Sequence, residues 1–152
     1  MTEKYPVNCV LFDLDGTLFD VEHRRRYVQV EPKNWDAFNA ACVLDKALPH
    51  VKLLHDMIYM FGYKIIYCSG RSDEFLPQTL GCLFSEYQVT HPDLRMRKAK
   101  DRRSDDIVKK EILDEILAEG YNPVFAVDDR DQVVKMWREN GIPCFQCAPG
   151  DF

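Results

Sequence analysis

Long apolar runs are missing from these 152 residues; none approaches the roughly 20 consecutive residues that span a bilayer, so no membrane segment is expected. The opening Met-Thr-Glu-Lys-Tyr-Pro also lacks the basic and apolar regions of a secretory leader. Both absences point to a cytoplasmic protein, in which the six cysteines (9, 42, 68, 82, 144 and 147) are expected as reduced thiols, several of them packing as small hydrophobes. Cys144-Phe-Gln-Cys147 is a solitary CxxC. A zinc site needs about four ligands, and no second CxxC or paired histidines accompany it, so neither a zinc site nor a redox role is expected there. Positive charge is in short supply as well, since the formal net charge is −5, which argues against a protein that coats nucleic acid broadly. With 46% hydrophobic residues the chain can bury a core, but it is too short for two ordinary domains.

What the chain does have is an apolar run that ends on acid: Val10-Leu11-Phe12-Asp13-Leu14-Asp15-Gly16-Thr17-Leu18. The pattern reads as a strand, Val7 to Phe12, delivering Asp13 to a turn that Gly16 allows to be tight. Two carboxylates two residues apart on such a turn can share a divalent cation and leave an oxygen for nucleophilic or general-acid work. The alternative is a capped strand-to-helix turn in which Asp and Thr serve only the backbone. A calcium loop fits poorly, because glycine stands fourth and Arg24 twelfth where that loop wants glycine sixth and glutamate twelfth.

Further along, Tyr63 to Cys68 reads as a strand running into Ser69-Gly70-Arg71. A hydroxyl, backbone N–H groups and a guanidinium there make a compact phosphate cradle. Pro123 to Val127 is a third strand ending on acid, Asp128-Asp129. Helices are expected over Leu48 to Phe61, Asp73 to Glu86, Asp105 to Ala118 (capped by Ser104) and Arg130 to Asn140, and short strands over Leu94 to Arg97 and Ile142 to Cys147. In the helix from Asp105, counting about 100° per residue from Ile107 puts Ile112, Ile116 and Leu113 near 140°, 180° and 240°, with Lys109 near 200° inside that apolar arc and Lys110 near 300° outside it. Asp105, four residues before Lys109, shares its face. An inward lysine is costly unless it serves a site, so Lys109 rather than Lys110 is the candidate.

Strands alternating with helices imply an α/β fold: a Rossmann-like three-layer domain with a central parallel sheet of about five strands, covering 1–152 as one domain. Residues from about 20 to 47 break the alternation. They are read as a small cap insertion after the first strand, with a short helix over Lys33 to Val43. Arg24 to Arg26 and the six cations between Arg95 and Arg103 form two basic segments on an acidic chain, which suggests a phosphate-rich ligand; a solvated basic loop is the alternative.

The order DLDGT, SGR, inward lysine, DD resembles the haloacid dehalogenase superfamily, whose phosphatases attack a phosphoryl group with the first aspartate. Arg24, the run Ser104 to Glu111, the run Asp128 to Arg138 and the closing Gly-Asp-Phe are more narrowly similar to the 3′-phosphatase domain of bacteriophage polynucleotide kinase/phosphatases. Those proteins carry a P-loop kinase before this domain; no GxxxxGK[ST] is present here, so a phosphatase half without 5′-kinase activity is expected. The resemblance implies Asp13 as nucleophile, Asp15 as acid and then base, and Lys109 as the third catalytic group. It implies Mg²⁺ held by Asp13, the Asp15 backbone carbonyl, Asp128 and Asp129, and substrate contacts from Thr17, Arg24, Ser69, Gly70, Arg71 and Asp105, the last orienting Lys109. The implied substrate is a 3′-phosphorylated DNA or RNA end. A (deoxy)nucleotide or other small-molecule phosphatase would use the same core, and a catalytically idle nucleic-acid-binding module is the rival of another class.

Overall fold

A computed structural model describes residues 5–152; residues 1–4, part of the opening read as lacking a leader, lie outside the described residues. Among the described residues no helix is long and apolar enough to cross a membrane.

The chain alternates as its sequence pattern predicts. Strands β1 (Val7–Phe12), β4 (Lys64–Ser72), β5 (Asp93–Arg97), β6 (Tyr121–Asp128) and β7 (Cys144–Gln146) form one sheet in the order β5-β4-β1-β6-β7, and every neighbouring pair is parallel. Helices α2 (Pro49–Met60), α3 (Leu76–Tyr87), α4 (Asp105–Ala118) and α5 (Asp131–Glu139) supply the crossovers. Val108, Ile112, Leu113 and Ile116 of α4 join Val133, Met136 and Trp137 of α5 on one face of the sheet, against Cys9, Leu11, Ile66 and Ala126. Val51 of α2 and Cys82, Leu83 and Tyr87 of α3 cover Val10, Phe12, Ile65, Tyr67 and Val127 on the other face. A parallel sheet must be covered on both faces because its crossovers leave neither to water.

Between β1 and α2 the chain leaves the sheet. It forms the short strand β2 (Phe19–Asp20), a 3-10 turn over Glu22–Tyr27, helix α1 (Trp35–Ala40), a second 3-10 turn over Ala41–Leu44 and strand β3 (Lys46–Ala47), which pairs antiparallel with β2. The helix expected over 33–43 is thus a short α-helix that tightens into 3-10 geometry. Asn34 caps it by accepting the Ala37 N–H at 2.9 Å.

Three local expectations are corrected. β4 does not stop at Cys68 but continues through Ser69-Gly70-Arg71 to Ser72; its register against β5 slips between Ser69 and Ser72, so the motif is a bulged strand end rather than a loop. The helix expected from Asp73 begins as a 3-10 turn over Asp73–Phe75, and α3 proper starts one residue before Pro77. Ser104 stands at the start of α4 without a side-chain capping bond, so the acids Asp105 and Asp106 are left to complement the helix N-terminus.

The register decides where chemistry can occur. Phe12 is level with Tyr67 of β4 and with Val127 of β6, so the residues that follow, Asp13, Cys68-Ser69 and Asp128, emerge side by side at the carboxyl edge. After β1 the chain builds outward through β4 and β5, then crosses back to β6. The crevice between β1 and β6 is therefore the switch point where ligands bind in such sheets.

Leu113 is fully buried while Leu117, one turn on, is 46% exposed. Leu113→Ala is expected to cost about 2–5 kcal/mol in urea unfolding and Leu117→Ala less than about 1; equal losses would contradict the packing of α4.

Candidate active site

Three carboxylates meet in the crevice. Oxygens of Asp13, Asp128 and Asp129, all buried, lie within 4.8 Å of one another. Lys109 reaches them from the first turns of α4, with Nζ donating to Asp13 Oδ1 at 2.7 Å and to Asp128 Oδ2 at 2.9 Å. Lys110 points outward and pairs with Asp114 at 2.5 Å, as the helical angles predict. Asp13 Oδ2 accepts the Thr17 hydroxyl at 2.9 Å, and the same hydroxyl lies 3.4 Å from Asp129 Oδ1. Asp128 is held in place by the Trp137 indole N–H at 3.2 Å and the Asp129 backbone N–H at 2.9 Å.

The backbone is built to bring these acids together. Gly16 has φ +78°, and a Cβ there would stand 2.3 Å from Asp129 Oδ2. Gly150 lies so close to the Asp129 turn that a Cβ would stand 1.9 Å from the Asp129 carbonyl oxygen, and its own carbonyl accepts the Asp131 N–H at 2.8 Å. Only glycine permits both approaches.

Charge in this pocket is unbalanced. Burial, then the neighbouring Asp128, holds the Asp13 carboxyl well above the usual carboxylate range; the same two causes raise Asp129 to about 6. Lys109 stays firmly protonated, its burial outweighed by Asp128 and Asp13. Three carboxylates facing one ammonium, with only oxygen donors around them, form a set that fits a small hard divalent cation.

Asp15 is turned away from this group. Its Oδ1 accepts Arg24 Nη2 at 2.6 Å and Arg71 Nε and Nη2 at 2.9 and 2.5 Å. Burial opposes its ionisation, but the guanidiniums of Arg71 and Arg24 hold its carboxyl well below the ordinary range. Arg24 and Arg71, expected to face substrate, are both almost fully buried. They share a second counter-ion, Asp45, which accepts Arg24 Nε and Nη2 at 2.8 and 2.7 Å, Arg71 Nη2 at 2.8 Å and His23 Nε2 at 2.7 Å. Arg24 also lies over the Phe38 ring at 4.2 Å, and Arg71 donates to Thr79 Oγ1 at 3.3 Å.

Three more expected residues are placed differently. Asp105 shares a face with Lys109 but makes no hydrogen bond to it: it joins Arg97 and Arg130, the latter at 2.8 Å. Those guanidiniums are within bonding reach of its carboxylate and Lys109 is not, although the Asp105 charge still helps to keep Lys109 protonated. Gly70 lies against Asp105, where a Cβ would be 2.7 Å from Oδ1, and its carbonyl accepts Arg97 Nε at 2.8 Å. Buried Ser69 uses its Oγ to accept the Arg71 N–H at 3.1 Å.

The basic segment from Arg95 to Arg103 is half neutralised. Arg95 pairs with Asp93 and Glu119, Arg97 with Asp105, and Arg103 with Asp101 and Glu111; Lys98, Lys100 and Arg102 are exposed. Cys144 and Cys147 pack against opposite faces of the sheet, and Cys147 Sγ lies 3.6 Å from the Thr17 hydroxyl, its thiol pushed up to about 11 by burial. Sequence reasoning missed Asp45, a lone acid after an apolar stretch with no periodicity to mark it. No signal in the sequence marked it, because the burial of the two arginines shows only in the fold.

With this geometry in hand, comparison with known proteins is decisive. The family of the polynucleotide kinase phosphatase domain (PNKP) matches residues 7–152. The chain belongs to that family. It is 37% identical to a chain of the Pnkp1/Rnl/Hen1 RNA repair complex, superposing with a TM-score of 0.80 over 97% of this chain and 44% of that one. It is 29% identical over 148 residues to a putative bifunctional polynucleotide kinase/RNA ligase of Autographa californica nuclear polyhedrosis virus, covering 93% of this chain and 19% of that protein. The chain thus spans less than half the length of these relatives. The class C acid phosphatase of Bacillus anthracis shares the fold, with a TM-score of 0.71 at 18% identity. The Rossmann-like fold is the haloacid dehalogenase one, and the chain is a phosphatase domain of the polynucleotide kinase type.

The raised carboxyls of this domain make a pH prediction. Folded Asp129 takes up its proton near pH 6, and burial with the neighbouring Asp128 raises Asp13 well above the usual carboxylate range, whereas in the unfolded chain both wait until about pH 4. Between these limits the folded state binds more protons, so these groups lower the stability of the metal-free protein as pH rises from about 4 to 7. His55, whose imidazole burial keeps neutral, acts in the opposite sense. Measured in EDTA, the Tm of the protein is therefore expected to fall relative to that of Asp129→Asn between about pH 5 and 7. Mg²⁺ at pH 7 should raise the Tm of the unaltered protein and much less that of Asp128→Asn. A difference flat with pH and no response to Mg²⁺ would contradict the charge imbalance.

Proposed function

We propose that this chain is a Mg²⁺-dependent phosphomonoesterase that removes the 3′-phosphate from polynucleotide ends through an aspartyl-phosphate on Asp13, in a single domain whose segment 20–47 caps the site. The observation that carries the reading is the buried cluster of Asp13, Asp128 and Asp129 around Lys109, in a chain whose family is that of the polynucleotide kinase phosphatase domain.

Asp13 is the nucleophile: Lys109 on Oδ1 and Thr17 on Oδ2 fix its plane toward the crevice. Its carboxylate oxygen forms a bond to phosphorus while the bond to the 3′ oxygen breaks. That oxygen takes a proton from Asp15, and Asp15 then removes one from the water that hydrolyses the aspartyl-phosphate. Lys109 stabilises the charge on the transferring phosphoryl oxygens. Asp13, Asp128, Asp129 and the Asp15 backbone carbonyl would hold Mg²⁺, which when bound offsets the repulsion between an anionic nucleophile and a phosphate dianion.

Asp15 can serve as acid only after its guanidinium partners are engaged elsewhere. All three of its bonds fall on Oδ1, leaving Oδ2 for the proton. Phosphoryl oxygens entering beside Ser69 and Gly70 compete for the Arg71 and Arg24 donors, and because Asp45 holds both arginines they stay in place when Asp15 is released. Asp105 acts in this scheme through Arg97 and Arg130 at the rim rather than through Lys109.

A small-molecule nucleotide phosphatase is the second reading, favoured by the neutralisation of Arg95, Arg97 and Arg103. Rates with 3′-phosphorylated oligonucleotides, 5′-phosphorylated oligonucleotides and 3′-mononucleotides separate the two. The 3′-phosphorylated oligonucleotide is expected to have a kcat/KM at least about tenfold above the others at low salt, with the margin over mononucleotide shrinking as salt rises and all turnover lost in excess EDTA. Equal kcat/KM for oligonucleotide and mononucleotide would select the second reading, and full activity in EDTA would reject the metal.

Lys109→Ala is expected to lower kcat/KM by about 10²–10³ and Lys110→Ala by less than about twofold. Equal losses would remove Lys109 from the chemistry.

A further inference from the structure

The closing Gly150-Asp151-Phe152 has no role in the chemistry above, yet it is fixed to the site. Gly150 packs on the Asp129 turn without room for a side chain, and the Phe152 carbonyl accepts Arg130 Nε at 2.9 Å. The Phe152 ring has the Arg25 guanidinium 5.3 Å from its centroid and that of Arg130 at 5.4 Å. Arg25 follows Arg24, which touches Asp15; Arg130 follows Asp129 and is braced by Asp105. The ring therefore sits at the rim, between the inserted segment and the sheet edge. It joins neither core cluster and keeps 55% of its surface exposed. A ring serving only to pack would be expected in one of those clusters.

We propose that Phe152, flanked by Arg25 and Arg130, is a stacking platform for the nucleobase of the nucleotide that carries the phosphate. The proposal rests on the nucleotide-end reading above and names what that reading leaves open, the part of the substrate beyond its phosphate. A half-exposed aromatic residue with planar guanidiniums over its ring is a stack that an unpaired base can extend, on ring or guanidinium plane, and it tolerates any base because every base has a π face. The phosphate would be held by the buried groups and the base by the ring stack at the rim. The platform carries no hydrogen-bond readout of base edges, so it selects for the presence of a base rather than its identity.

The test measures binding in an Asp13→Asn background, where no phosphate is released. The ligands are an oligonucleotide ending in a 3′-phosphorylated nucleoside and the same oligonucleotide ending in a 3′-phosphorylated abasic sugar. Phe152→Ala is expected to weaken Kd for the base-bearing end about tenfold and for the abasic end less than about twofold. Phe152→Leu should behave like Phe152→Ala, and Phe152→Trp should restore binding. Phe152 is half exposed at the surface, and an unchanged Tm checks that each variant is folded. An equal loss on both ends would make the ring a brace for the Asp129 turn and overturn the platform; so would no loss on either. Failure of the polynucleotide reading shows separately, as equal turnover of oligonucleotide and mononucleotide by the unaltered protein.

Discussion

The Lys109 ammonium between Asp13 and Asp128 is the interaction on which the rest of the site depends. It lies 2.7 and 2.9 Å from its partners, and all three side chains are out of water. Removing the lysine from a buried ion group of this kind costs about 3–5 kcal/mol, because the carboxylates left behind cannot be hydrated. The fold meets the requirement through its topology. β1 and β6 are adjacent and in parallel register, so Asp13 and Asp128 emerge together, and α4, the crossover into β6, carries the lysine to them. One ammonium still leaves the cluster short of positive charge, and the raised carboxyls of Asp13 and Asp129 express that shortage. The same shortage makes the crevice fit for a divalent cation.

Next to it stands a network of opposite balance. Arg24 and Arg71 face Asp15 and Asp45, and His23 completes the shell of Asp45. Here the cations are fully supplied with partners, which explains how two guanidiniums can be buried. It also gives the inserted segment a physical connection to the core: Arg24 and Asp45 come from that segment, Arg71 from β4 and Asp15 from the turn after β1. Under the proposed function, anion binding at this place would be an exchange of partners rather than the filling of an open cradle, so affinity would depend on how weakly Asp15 is held compared with phosphate. Asp45 would keep the exchange local, because it still holds both arginines.

Much of this was legible in the sequence wherever one residue's position followed from a period. The strand Val7–Phe12 and the helix Asp105–Ala118 appear with the expected ends, and the choice of Lys109 over Lys110 follows from 100° per residue alone. Acid after apolar strands located the site because a strand end in a parallel sheet has a fixed meaning. What the sequence hid were the partners of charged groups. Arg24 and Arg71 looked free because Asp45 has no periodic neighbour, and Arg95, Arg97 and Arg103 looked like a cationic patch because Glu119, Asp105 and Glu111 come near only in three dimensions. Net charge counts residues; binding depends on which of them remain unpaired.

That distinction bears on how substrate is recognised. With half of the basic segment neutralised, few cations are left to follow a phosphate backbone, and the long-range field around the acidic chain does little to attract one. Under the proposed function, recognition would fall to contacts within a nucleotide or two of the reacting phosphate: buried guanidiniums that exchange partners, three exposed cations at 98, 100 and 102, and a half-exposed aromatic residue with two arginines over its ring at the rim. A site organised this way would read the last few nucleotides of a strand, with the exposed cations at 98, 100 and 102 meeting the phosphates next to the end. Under the proposed function its tight buried network would favour a dianionic monoester over a diester, because only the monoester brings a second charge to compete with Asp15 for Arg71.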